Sequence, residues 1–331
     1  MISGTTAAPA RPRVTRRGLQ IVLGLLWLLD GVLQFQPAML TPRFATGVIA
    51  PAGAGQPGFI AVPVGEVARV IGSQPVAMDV AFGLIQLALG AGILCARTAR
   101  AALAASVAWA LLVWYLGEGL GGLAGGSASL LTGAPGAAVL YAVLALVAAP
   151  RRGGAATAES PARWAAAAWA ALWLGGAVLQ LFPGRDTNAT ISMSLAMSGS
   201  GAPAWFASIA AHLAALVPAS GVSIAVDLIV LQAFAGIGAL RGPRVRLAAV
   251  IVGCGLSLVY WVAGQGMGQP WSGLATDPGT APLVVLLGFA VLGSAPRRGP
   301  AGETDPPWTH WAPADPAAEV PAGASGEPLE A

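Results

Sequence analysis

Eight long apolar stretches dominate the chain, at roughly 18–37, 77–96, 101–120, 131–149, 164–183, 221–240, 246–264 and 280–295. A hydrocarbon core about 30 Å thick takes about 20 helical residues to cross. Peptide groups in lipid find no water, so such stretches must close their hydrogen bonds within themselves, as helices. Composition agrees. Only 9% of the 331 residues are charged, against about 25% in an ordinary soluble domain, which is too few to coat a water-facing surface. The expected fold is an all-α polytopic membrane protein with eight transmembrane helices.

The arginines give such a chain a direction. All 17 basic residues are Arg, and 14 of them fall in alternate segments: Arg11, Arg13, Arg16 and Arg17; Arg97 and Arg100; Arg151, Arg152 and Arg163; Arg241, Arg244 and Arg246; Arg297 and Arg298. The intervening segments hold only Arg43, Arg69 and Arg185. Basic residues stay on the cytoplasmic side, so both termini are expected there. The Lys-free, Ala- and Gly-rich composition fits a bacterial chain, which makes the bacterial cytoplasmic membrane the expected location. Arg16-Arg17 before an apolar run has the outline of a twin-arginine export signal, but the run is too long for one and recurs internally, so it is expected to be a first span. Two further apolar segments, 57–72 and 203–218, would reverse the arginine pattern if they crossed. They are expected to be re-entrant or interfacial helices on the outer face.

Shifting the sequence by 146 residues lays one half on the other. Trp27 falls on Trp173, Gln34 on Gln180, Pro37 on Pro183, Gln86 on Gln232, Gly90 on Gly236 and Arg100 on Arg246. One residue further on, Trp114 and Glu118 meet Trp261 and Gln265. Trp, Gln and Pro recurring together at one offset indicate a tandem duplication. The expected organisation is a cytoplasmic arm (1–17), a first four-helix repeat (18–150), a cytoplasmic linker (151–163), a second four-helix repeat (164–298) and an acidic, Pro-rich disordered tail (299–331). Four is even, so the repeats would enter the membrane in the same orientation.

The repeat unit resembles the DoxX-like superfamily of small four-helix membrane proteins. The likeness rests on Gly24, Gly31 and Gln34 in the first helix, a long outer loop, and a second helix running Leu84-Ile85-Gln86-Leu87-Ala88-Leu89-Gly90-Ala91-Gly92 toward Arg97 and Arg100. Residues 231–240, with Arg241 and Arg244, repeat it. The resemblance implies a link to respiratory or redox membrane complexes, including quinone-linked thiosulfate oxidation. Where the family carries an acid in the second helix, this chain has Gln86 and Gln232.

An ionisable side chain within lipid is expensive, so each one marks a candidate site. Asp30 shares a helix face with Trp27 and Gln34, and Glu118 ends the third span near Trp114. With Gln86 these residues form the candidate ligand or proton site: Asp30, Glu118, Trp27, Gln34, Trp114 and Gln86. Asp79 and Asp227 enter spans from the same side. The plainer alternative makes Asp79, Asp227 and Glu118 headgroup anchors and gives Asp30 a hydrogen bond to a neighbouring helix. Gln180, Gln232 and Gln265 are expected to bond between helices.

No Ser/His/Asp constellation, H-E-x-x-H or phosphate loop is present, and Cys95 and Cys254 lie far apart. His212 and the tail residue His310 are the only histidines, too few within the membrane for a bis-histidine haem. No cofactor and no metal are expected, and no enzyme activity of the chain alone. Without a basic tract, nucleic acid is not an expected partner. Two functions follow from these residues. The first is a non-catalytic subunit or scaffold of a membrane complex, redox- or quinone-linked, with lipids and other membrane proteins as partners. The alternative is a carrier or binding protein for a small apolar or lipid-like molecule, held in an outward-facing polar cavity at the repeat interface.

Overall fold

A computed structural model describes residues 14–126, 128–150, 160–182, 187–217 and 223–294. The expectations for residues 1–13, for Arg151, Arg152, Pro183, Arg185, Arg297 and Arg298, and for the tail fall outside the described residues. The fold is all-α, with no strand among the described residues. In the first half run α1 (Arg16–Leu33), a π-helical turn (Ala45–Ile49), α2 (Ala50–Ala52), α3 (Gly58–Ser73), α4 (Pro75–Leu94), α5 (Ala99–Leu116), a 3-10 turn (Gly119–Gly122) and α6 (Ala137–Ala148). The second half follows with α7 (Ala165–Gln180), α8 (Asn188–Ser198), α9 (Ala204–Leu216), α10 (Ser223–Ala239), α11 (Pro243–Ala263), a 3-10 turn (Gly266–Gly268) and α12 (Thr280–Gly293).

Each of the eight apolar stretches holds a helix, but α4, α5 and α11 are the ones both long and apolar enough to cross a membrane. At 18 residues α1 has the length, but it carries Arg16, Arg17 and Asp30. The other four fall short of the expected spans, and α6 most of all. Its stretch was drawn from residue 131, yet the helix starts at Ala137 and has 12 residues, about 18 Å of rise. Pro135 has no N–H to give, and Gly136 takes φ +111°, so residues 128–136 form a loop that enters the bundle instead of a helical turn. The segments expected as outer-face helices are α3 and α9; α8 was not anticipated.

Close packing of small residues joins the helices. A Cβ on Gly90 would lie 2.7 Å from the Gly24 carbonyl oxygen, and one on Gly31 would lie 3.0 Å from that of Gly83. The backbones of α1 and α4 thus touch with no side chain between them, as helices do where lipid provides no hydrophobic drive. In the second half α7 meets α10 at Gly236, where a Cβ would lie 3.3 Å from the Ala170 carbonyl oxygen. Gly92 and Gly238 set α4 on α5 and α10 on α11 in matching fashion, against the Cβ atoms of Ala102 and Ala249.

At one end of the bundle, arginines cap helix C-termini. Arg16, which also donates to the loop carbonyl of Ser160, donates to the carbonyl of Ala149, Arg17 to those of Ile93 and Leu94, and Arg246 to that of Ala239. These helix-end carbonyls have no partner within their own helices, and a cation there also meets the negative end of the helix dipole. The arginines assigned from sequence to one face therefore have a structural role as well.

Candidate functional site

At the other end of the first half, α1, α4, α5 and α6 surround a cavity of about 300 Å³. The π-helical turn and α3 close its side with Phe44, Ile49, Val67 and Ile71, and Thr276 and Asp277, from the loop before α12, also reach its wall. Five of the six expected site residues line it: Asp30, Glu118, Trp27, Gln34 and Gln86. Trp114 stands behind the wall, where its indole N–H donates to the Pro135 carbonyl (2.6 Å).

Local structure accounts for each position. Trp27, Asp30 and Gln34 are three and four residues apart on the buried face of α1. The Trp27 indole donates to Ser106 Oγ of α5 (2.9 Å) and lies 4.4 Å, centroid to centroid, from Tyr141 of α6. The Tyr141 hydroxyl in turn adjoins the Asp30 carboxyl. Glu118 follows the end of α5 and accepts the backbone N–H of Ala138 in the first turn of α6 (3.0 Å), so a carboxylate caps the positive end of that helix. Gly136 must be glycine: at φ +111° its Cβ would lie 2.1 Å from Glu118 Oε2.

The wall leaves acceptors unused. Asp30 Oδ1, Gln34 Oε1, Gln86 Oε1 and Glu118 Oε2 are buried without a hydrogen-bond partner. Buried polar atoms are nearly always satisfied, so orphans grouped on one cavity wall mark a place where something else bonds. Glu118 and Asp277 lie in loops beyond the helices. Burial pushes the Glu118 carboxyl up to about 8, and the charge of Asp277 adds to this, against the opposing N–H groups of Ala138 and Ala137. Burial raises Asp277 too, although it accepts from the Thr276 hydroxyl (2.7 Å) and the Gly279 N–H (2.8 Å).

Asp277 belongs to the second half, and its loop is held on the first by Gln36, which donates to the Ala275 carbonyl (2.8 Å). The exchange is mutual. Leu130, from the loop before α6, packs into the second half, and Gln265 Nε2 donates to its carbonyl (3.4 Å). The two loops are built alike: Ser129 Oγ accepts from Leu131 N and Ser272 Oγ from Leu274 N, while Trp114 and Trp261 donate to Pro135 and Pro278 at the same 2.6 Å. Leu120 and Met267 share φ 56° and ψ 29°, a left-handed conformation uncommon outside glycine. Gln265 Oε1 accepts from Thr280 N of α12 (3.2 Å), as Glu118 does from α6.

The equivalent space in the second half is almost filled, with about 10 Å³ left. Gly176 stands at the register of Asp30, and Leu130 occupies the room its missing side chain leaves. Tyr260 stands at the register of Val113, and its hydroxyl accepts from Gln232 Nε2 (2.7 Å). Of the glutamines expected to bond between helices, Gln232 of α10 bonds Tyr260 of α11, Gln265 lies beyond the end of α11 and joins a loop to the start of α12, and Gln180 is buried with Oε1 unpartnered. Asp79 is buried with neither oxygen partnered but lies off the cavity wall. Asp227 and His212 are exposed. Among the described residues, no three His, Cys, Asp or Glu side chains are placed to hold a metal ion.

Sequence reasoning missed Tyr141, Trp109 and Asp277 as wall residues. Asp277 alone left a signal, as an acid in a loop whose counterpart in the other half carries Ala134. Compared with family models, with curated proteins and with solved structures, the chain finds no match in any of the three.

Proposed function

We propose that this chain is an eight-span membrane protein made of two four-helix repeats in the same orientation, and that it binds or carries a small, mainly apolar molecule in the cavity of the first repeat. The observation that carries the binding reading is the cavity of about 300 Å³, with apolar walls and the buried, unpartnered oxygens of Asp30, Gln34 and Gln86. A pocket of mostly apolar lining with a few convergent polar groups is the usual form of a small-molecule site. Paired helix packing at Gly90 and Gly236 and the matched Trp–Pro contacts support two repeats of one plan. Apolar side chains exposed on outward faces, such as Leu25, Val32, Leu84 and Val259, support a lipid-facing surface. Arginines gathered at the end away from the cavity support cytoplasmic termini and a cavity in the outer half. A DoxX-like origin and a subunit role in a redox complex remain the competing account; it leaves the cavity without a purpose.

The test is purification of the full chain from its native membrane in mild detergent, with mass spectrometry of everything that comes with it. Val113→Tyr serves as the control, because Tyr260 at the same register already fills the second half. One small molecule enriched with the natural protein and lost with Val113→Tyr supports binding. Stoichiometric partner proteins with no small molecule would replace it by the subunit account.

A further inference from the structure

The cavity wall specifies the chemistry of what it holds, if it binds a small molecule as proposed above. Among its unpartnered atoms acceptors outnumber donors: Asp30 Oδ1, Glu118 Oε2, Gln34 Oε1 and Gln86 Oε1 accept, while Trp109 Nε1 donates and the Tyr141 hydroxyl, beside Asp30, can do either. Once ionised, the two carboxyl groups only accept, whichever way the amides are turned. A third carboxyl, Asp277, lies near enough to both to act on them electrostatically. No Arg, Lys or His is among the wall residues, so the positive charge that would let these acids stay ionised away from water must arrive with the occupant.

Size and surroundings narrow the cation. A space of about 300 Å³ is far larger than a bare metal ion needs, and the acids are not gathered into one coordination sphere. Around them stand the aromatic rings of Trp27, Trp109, Tyr141 and Phe82, groups against which an organic cation rests. Ile49, Val67 and Ile71, on the side closed by the π-helical turn and α3, offer an apolar wall to a hydrocarbon body. We propose that the occupant is a protonated organic amine with an apolar body, its ammonium group bonded to Asp30 and to the amide oxygens of Gln34 and Gln86.

The experiment uses three probes with one apolar body: 4-phenylbutylamine, 4-phenylbutan-1-ol and 4-phenylbutyrate. Binding to the full chain in detergent is read by thermal shift and by the change in tryptophan fluorescence, with Val113→Tyr subtracting partition into detergent. The amine is expected to bind at least about tenfold tighter than the alcohol, with the carboxylate weakest. Asp30→Asn is expected to remove the preference while alcohol binding persists. Alcohol or carboxylate binding as tight as the amine, or an amine preference that survives in Asp30→Asn, would refute the amine and leave the cavity reading standing. The same shift from sodium or potassium chloride alone, or no binding of any probe, would also refute it. Should Asp30→Asn fail to fold, the probe series on the natural protein decides. The cavity reading itself is judged separately, by the molecule that co-purifies.

Discussion

Leu130 packs against Gly176 so closely that a Cβ on the glycine would lie 2.1 Å from the leucine Cδ1. Gly176 is the counterpart of Asp30, so a side chain lent by the first half closes the space that an acid keeps polar in the other. The cavity of about 300 Å³ and the space of about 10 Å³ thus differ in what fills them. Leu130→Ala is therefore expected to destabilise the chain by about 2–5 kcal/mol, as emptied core sites do, while 4-phenylbutylamine affinity at the first cavity changes by less than about twofold. Thermal unfolding and the binding assay together check both halves of this expectation. Loss of amine binding in step with stability would mean that the two spaces are one.

Ser106 gives the Trp27 indole its partner, whereas Trp173, facing Gly253, has none. Ser106→Ala should leave the Trp27 N–H buried and unbonded, at a cost of about 1–3 kcal/mol. A lower melting temperature with a shifted Trp emission is the expected signature. An unchanged melting temperature would mean that the indole finds another acceptor.

Glu118 and Asp277 both have carboxyls raised above their ordinary range by burial. A raised carboxyl contributes stability in the protonated form, fully present below the unfolded value of 4.5 for Glu118 and lost as pH climbs through about 8. The empty protein should therefore melt lower at about pH 8.5 than at about pH 5. Glu118→Gln should flatten that slope, since Gln265 shows that an amide serves the same helix cap. Equal slopes in the two proteins would show that Glu118 is ionised throughout.

Cys95, at the end of α4, is exposed, and the Thr98 hydroxyl with the backbone N–H groups of Arg97 and Thr98 holds its thiol below the ordinary value. It sits at the arginine-capped end. An impermeant maleimide should label it in inverted vesicles and leave it untouched in intact cells. Labelling from the outside would reverse the proposed orientation.

Much of this was legible in the residues because lipid leaves a chain few choices. Stretches of apolar residues locate the helices, and Asp30 stands out because an acid among leucines needs a reason. Trp27, Gln34 and Gln86 could be grouped with it from helical spacing and the recurring offset. Helix α6 is shorter than its stretch because hydropathy averaged over 131–149 does not register that Pro135 and Gly136 stop a helix there. Tyr141 escaped notice because a phenol is ordinary in an apolar helix until a carboxyl is placed beside it. Asp277 could not be placed at all, since a loop of one half reaching the cavity of the other is a property of tertiary packing and leaves no period in the sequence.

Whether the first-half cavity holds a molecule is read off an experimental structure of the natively purified chain in a lipidic mesophase. Density for a compact molecule is expected between Asp30 and Phe82, in contact with Gln34 and Gln86, while Leu130 fills the second half. A collapsed cavity, with Asp30 and Gln86 bonded to neighbouring helices and no space between them, would contradict binding there.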